Sequence, residues 1–92
     1  MPIQVDIPTP LRGYTEGRRS VQADGADLVE LLADLDRRYP GFRARLVTDD
    51  GKLRRFVNVY INDDDVRAGR QLDARLTDGD RVTFLAAMAG GA

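Results

Sequence analysis

Apolar and polar residues alternate at two different periods along this chain, and the switch between them lays out its elements. Ile3, Val5 and Ile7 alternate with Gln4 and Asp6, the period-2 pattern of a strand with one buried face, and Pro8 with Pro10 ends it. A Gly-punctuated loop from Leu11 to Arg19 leads to a second short strand, Ser20 to Ala23, which puts Val21 and Ala23 on one face and forms an opening hairpin with the first. After Asp24-Gly25 the period becomes helical: Leu28, Leu31, Leu32, Leu35 and Tyr39 make one apolar stripe. Asp27 and Glu30 have capping-box spacing at the start of that helix, and Pro40-Gly41 stops it. Phe42 to Leu46 adds a short helical turn before the Asp49-Asp50-Gly51 turn.

The strongest strand signal runs from Arg55 to Ile61, with Val57, Val59 and Ile61 on one face and Phe56, Asn58 and Tyr60 on the other. Asn62-Asp63-Asp64-Asp65 reads as a turn, Val66-Arg67 as a stub of strand, and Leu72 and Leu76 as anchors of a long connection. Thr77-Asp78-Gly79-Asp80 turns into a last strand, Arg81 to Ala86, with Val82 and Phe84 toward the core. Strands first and last around one helix predict an α+β fold, a mixed sheet of four to five strands packed on one main helix. The last strand belongs in the middle of that sheet, because its Val82/Phe84 face must meet the helix stripe.

Residues 1–86 thus form one domain and residues 87–92 a flexible C-terminal tail. Met88 is the tail's one large apolar residue, and its Gly90-Gly91 pair adds no burial while losing the most backbone entropy on ordering. The residues themselves leave two readings of this tail open: plain disorder, or an extended peptide that enters another protein's narrow site.

Composition narrows the chemistry. With 92 residues the chain buries roughly 60 to 65% of its unfolded surface on folding, enough without staples. Charged residues make up 32% of the chain, yet the net charge is only −1, so no clustered basic face is available for nucleic acid. There is no Cys and no His, hence no disulfide, no thiol nucleophile, no imidazole base and neither of the commonest zinc ligands. No metal site is expected. Asp63-Asp64-Asp65 lacks the alternating ligands, central Gly and distant Glu of a calcium loop and reads as a solvated turn; Asp78 and Asp80 flank Gly79 in another. Arg18-Arg19 and Arg54-Arg55 are read as solvated charge in preference to phosphate sites. The opening Met1-Pro2-Ile3-Gln4 carries neither a basic nor an apolar targeting run, and no segment reaches membrane-spanning length, so a cytoplasmic protein with no membrane partner is expected. Phe56, Tyr60 and Leu85 fall opposite the core face and, with Met88, are the candidate partner-binding residues.

The string Thr77-Asp78-Gly79-Asp80-Arg81-Val82-Thr83-Phe84-Leu85 followed by Gly90-Gly91 resembles the ubiquitin-like β-grasp sulfur carriers of the ThiS and MoaD type. The stretch Arg55 to Arg67 and Tyr39-Pro40-Gly41 are similar to the CysO-like branch, which serves a cysteine synthase. The resemblance covers nearly the whole chain. It implies that the carboxylate of Gly91 is adenylated by an E1-like adenylating and sulfurtransferase enzyme and converted to a thiocarboxylate. That enzyme uses ATP and a sulfide source; the carrier itself binds no cofactor and is a protein co-substrate and not an enzyme.

The acceptor implied is a cysteine synthase-like enzyme, so that sulfide goes to cysteine biosynthesis. Two departures stand out: Ala86-Ala87 replaces prolines usual in molybdopterin-related members, and Ala92 follows Gly91, where most mature carriers end. The first weighs against a molybdopterin synthase small subunit, one alternative beside sulfur donation to another metabolite. The second implies removal of Ala92 by a zinc peptidase of the JAMM type. An alternative of another class is a ubiquitin-like protein modifier or binding module.

Overall fold

The structure, a computed structural model, describes residues 2–66 and 74–86. Its elements in chain order are β1 (Ile3–Asp6), a 3-10 helix (Thr9–Thr15), β2 (Ser20–Ala23), α1 (Leu28–Arg38), α2 (Phe42–Leu46), β3 (Val57–Ile61), β4 (Asp64–Asp65) and β5 (Arg81–Ala86). They build a five-stranded sheet in the order β2-β1-β5-β3-β4. β5 lies at its centre, parallel to β1 and antiparallel to β3, as the need to bury Val82 and Phe84 requires.

Register fixes which side chains share a face. Ile3 pairs with Ala23, Val5 with Val21 and Val82, and Phe84 with Val59, so the inner face is apolar across four strands and fully buried. The α1 stripe of Leu28, Leu31, Leu32 and Leu35 packs into the same core with at most 1% exposure. Phe42 from α2 meets Phe84 edge-on, with ring centroids 6.0 Å apart. Burying such residues contributes about 1.5–3 kcal/mol each, which makes this single core the main source of stability.

Helix α1 begins where the capping spacing placed it. The Asp27 carboxylate accepts the Glu30 N–H at 2.9 Å, while Glu30 reaches back to the Ala26 N–H, also at 2.9 Å. At the other end Asp36 accepts the Gly41 and Arg43 N–H groups and ties α2 to α1. Gly41 there has φ +93, a left-handed conformation that glycine adopts without a Cβ clash.

Four local expectations need correction. The segment after Pro8 is a 3-10 helix through Thr15, because Pro10 presets its first turn and Arg12 closes onto the Ile7 carbonyl. β3 starts at Val57, so Arg55 and Phe56 lie in a turn and Phe56 is not a strand residue. The acidic turn is two residues shorter: Asn62 takes φ +58, Asn62-Asp63 make the reversal, and Asp64-Asp65 already pair with β3. Val66 is buried just beyond β4 instead of continuing it, and Arg67 and Leu72 lie outside the described residues.

Candidate functional site

The outer face of the sheet carries the side chains opposite the core. Across it run Ser20, Asp6, Thr83, Tyr60 and Asp65 in one register row, with Gln4 beside Arg81 on one side and Leu85 beside Asn58 on the other. The centre of this face is polar and internally satisfied. Arg81 Nε donates to Asp6 Oδ2 at 2.6 Å and the Thr83 hydroxyl donates to the same oxygen at 3.2 Å, joining β1 to β5. Partial burial pushes the Asp6 carboxyl up, but the hydrogen bond and charge of Arg81, with Thr83 and Gln4, outweigh it and hold its pKa below the usual value. The same bond raises Arg81.

The loops at the start of β5 are clasped to the β3–β4 turn. Asp80 accepts the Thr77 N–H at 2.9 Å and the Asn62 amide at 3.2 Å, and Asn62 in turn accepts the Arg81 N–H. The Thr77 N–H lowers the Asp80 pKa. Asp80 is therefore a turn residue holding β5 in place, as the acidic turn suggested, and Asn62 is a partner that the turn pattern did not reveal.

Two of the three exposed large apolar residues among those described lie at the opposite end, beside the C-terminal end of β5; the third, Val29, is on α1. Leu85 is 47% exposed and Phe56 39% exposed, while Tyr60 is half-buried one register row further in. Of the four candidate docking residues, the three among the described residues are exposed or half-buried, and Asn58 and Thr83 sit among them, so the face is mixed and not a continuous apolar patch. Met88, Gly90, Gly91 and Ala92 lie outside the described residues. Beside Leu85 a groove of about 670 Å³ runs between β5 and the loop after β1, lined by Pro8, Pro10, Arg12, Arg19, Asn58 and Leu85 among others. Arg19, read from sequence as solvated charge, belongs to this groove; its carbonyl accepts the Ile7 N–H at 2.8 Å, next to the Ser20–Asp6 pair, and this pairing beside β1 brings it there.

No cluster of three or more acidic residues able to hold a metal occurs among the described residues. Nor is any helix among them long and apolar enough to cross a membrane.

The mixed five-stranded sheet packed on α1, with the last strand at its centre, is the ubiquitin-like β-grasp architecture, and the ThiS family pattern matches residues 5–91. The chain belongs to the ThiS family. Within it, the chain is 47% identical to the sulfur carrier protein CysO of Mycobacterium tuberculosis over 93 aligned residues, covering 99% of this chain and all of that one. The crystal structure of M. tuberculosis CysO superposes with a TM-score of 0.89 at 46% identity, covering 92% of this chain and 98% of the other. A chain in the crystal structure of the Amycolatopsis orientalis BexX/CysO complex matches at a TM-score of 0.89 and 49% identity, covering 97% of this chain and 99% of that chain.

Proposed function

We propose that this protein is a sulfur carrier whose Gly91 carboxyl is the reacting group. The observation that carries the reading is the end-to-end relation to CysO, which spans the β-grasp domain and the diglycine alike. In the proposed reaction the Gly91 carboxylate attacks the α-phosphate of ATP within an adenylating enzyme and pyrophosphate leaves. Sulfide then attacks the acyl carbon, AMP leaves, and a thiocarboxylate remains. The carrier supplies the carboxyl, and its rigid part supplies the docking surface. Glycine suits the reacting end because a missing Cβ lets the backbone enter a narrow channel.

The acceptor in this reading is a cysteine synthase-like enzyme, with sulfide going to cysteine and the protein acting in the cytoplasm. Phe56, Tyr60, Leu85 and Met88 are the proposed partner contacts. Because Ala92 follows Gly91, the Gly91 carboxyl is locked in a peptide bond until that bond is cut. Reaction geometry tolerates errors of only about 1 Å, so a carboxyl one residue further along is misplaced. A zinc peptidase that releases an amino acid from the terminal glycine of a carrier is suited to this cut as well.

The experiment is to incubate the full chain and a version ending at Gly91 separately with the adenylating enzyme, ATP and sulfide, and to weigh the products. The shorter chain is expected to gain the mass of one oxygen exchanged for sulfur, and the full chain to gain it only after peptidase treatment. Equal sulfur uptake by both overturns the precursor step. High-mass adducts in place of a thiocarboxylate mean a protein modifier, and no change in either form sets the carrier reading aside.

A further inference from the structure

Three features of the groove beside Leu85 bear on what covers it. The β1–β5 ladder ends at Asp6 and Thr83, because Pro8 and Pro10 turn the chain away from the sheet; the groove is the notch this leaves along β5. Arg12 and Arg19 line it, and among the described residues neither lies in an ion pair, although Arg12 Nε donates to the Ile7 carbonyl at 3.1 Å. Its one acidic lining residue, Asp6, is already held by Arg81 and Thr83. The notch is thus apolar along Leu85 and Pro8, and positive at its rim.

Position supplies the occupant. On the reading that Gly91 is the reacting residue, the reacting carboxyl lies five residues beyond Ala86, within a reach of at most about 17 Å at ~3.4 Å per residue. An enzyme that encloses Gly91 must therefore rest its surface on the part of the domain nearest Ala86, which is the Leu85 end of the sheet. We propose that this groove receives an extended acidic segment of the adenylating enzyme, an aliphatic side chain seated against Leu85 and Pro8 and a carboxylate held between Arg12 and Arg19. Charged groups at such a rim act mainly on encounter and selectivity, so the contact separates an acidic partner from a basic one and weakens as salt rises.

The test measures binding of the full chain to the adenylating enzyme across a salt series. Arg19→Glu, whose side chain makes no hydrogen bond in the described structure, is expected to weaken binding roughly tenfold at low salt and to flatten the salt dependence. The double variant Arg12→Glu/Arg19→Glu goes further, with circular dichroism checking the loop that Arg12 ties to Ile7. Arg75→Glu is the control: it makes the same charge change at an exposed residue bridged to Asp27 at the start of α1, outside the groove, and is expected to stay within twofold of the parent. Parental binding by Arg19→Glu overturns the inference, as does an equal loss in Arg75→Glu. If deleting residues 87–92 shifts the Arg12 and Arg19 Nε–H resonances and adding enzyme does not, the groove holds the chain's own terminus and the inference is again overturned. Failure of both the parent chain and the version ending at Gly91 to bind the enzyme removes the carrier reading itself.

Discussion

Replacing Gly25 by alanine places a methyl carbon 2.5 Å from the backbone nitrogen of Leu31, 2.8 Å from its Cα and 3.0 Å from the Glu30 carbonyl carbon, all in the first turns of α1. These are backbone atoms and cannot rotate aside. The loop has no slack either: the Asp24 N–H is held by Asp34 at 2.9 Å, the Ala26 N–H by Glu30, and the Ala26 carbonyl by the Leu76 N–H. At an unstrained site, Gly to Ala raises stability by about 0.4–1 kcal/mol, since it restricts the unfolded chain. Here the sign should reverse. Overpacking costs about 1–3 kcal/mol, and pushing α1 outward loosens the Asp27 cap, worth about 1 kcal/mol. A net loss near 3 kcal/mol is a large share of the roughly 5–14 kcal/mol available to a chain of 92 residues. At about 4–8 °C per kcal/mol for a domain of this size, the melting temperature should fall by roughly 12–24 °C. Thermal and urea unfolding followed by circular dichroism measure it. A Gly25→Ala protein that melts at or above the parent temperature refutes the close approach of this loop to the helix.

Further outcomes follow from the ion pairs and the docking end. Asp34 is 8% exposed; its burial favours the neutral form, but the Asp24 N–H and the guanidiniums of Arg37 and Arg38 prevail and lower its pKa. A lowered folded-state pKa adds stability that is present above the unfolded value near ~3.9 and is lost as pH falls through the folded value, so Asp34→Asn should be less stable than the parent at pH 7 and the gap should close in acid. A gap that stays constant in acid titration of urea midpoints would show the carboxylate's charge to be irrelevant. Leu85→Asp should keep the melting temperature, since the side chain is 47% exposed, yet weaken binding to the adenylating enzyme by roughly tenfold to thirtyfold, in the range of a central anchor. It is a cleaner probe than Tyr60→Asp, which sets a new carboxylate directly opposite Asp65 on the neighbouring strand.

What the sequence disclosed depended on how local the cause was. Period-2 and helical patterns found β1, β2, α1 and β5 within a residue or so, because each buries one apolar face against the same core. The central place of β5 also followed, since only there do Val82 and Phe84 meet the helix. Apart from the 3-10 segment after Pro8, whose causes are local, the misplaced elements were those whose conformation is decided by a partner far along the chain. Asn62 is left-handed and its amide holds Asp80 and Arg81, eighteen and nineteen residues away, so the acidic run reads as one turn until that clasp is known. Phe56 alternates correctly with Val57, yet β3 pairs only from Val57, opposite Ala86, and the ring ends in the preceding turn.

Pro8 and Pro10 bring these levels together. In sequence they end a strand, because proline has no N–H for the ladder. In the fold they also end the pairing of β1 with β5 two residues before Leu85; the 3-10 segment they begin carries Arg12 to the groove, and the Ile7 N–H bond to the Arg19 carbonyl holds Arg19 beside it. A strand break thus makes a notch, and the notch is positively charged because Asp6, the nearest carboxylate, is committed to Arg81 and Thr83. The inner face of β5 is committed to the core and cannot vary without loss of the domain. The outer face is tied together at Asp6, Thr83 and Arg81, and Arg12 is anchored to the Ile7 carbonyl, which leaves Leu85, Asn58 and Arg19 to fit a partner. Selectivity for an enzyme can therefore change at this end of the strand without disturbing the packing that holds β5 in place.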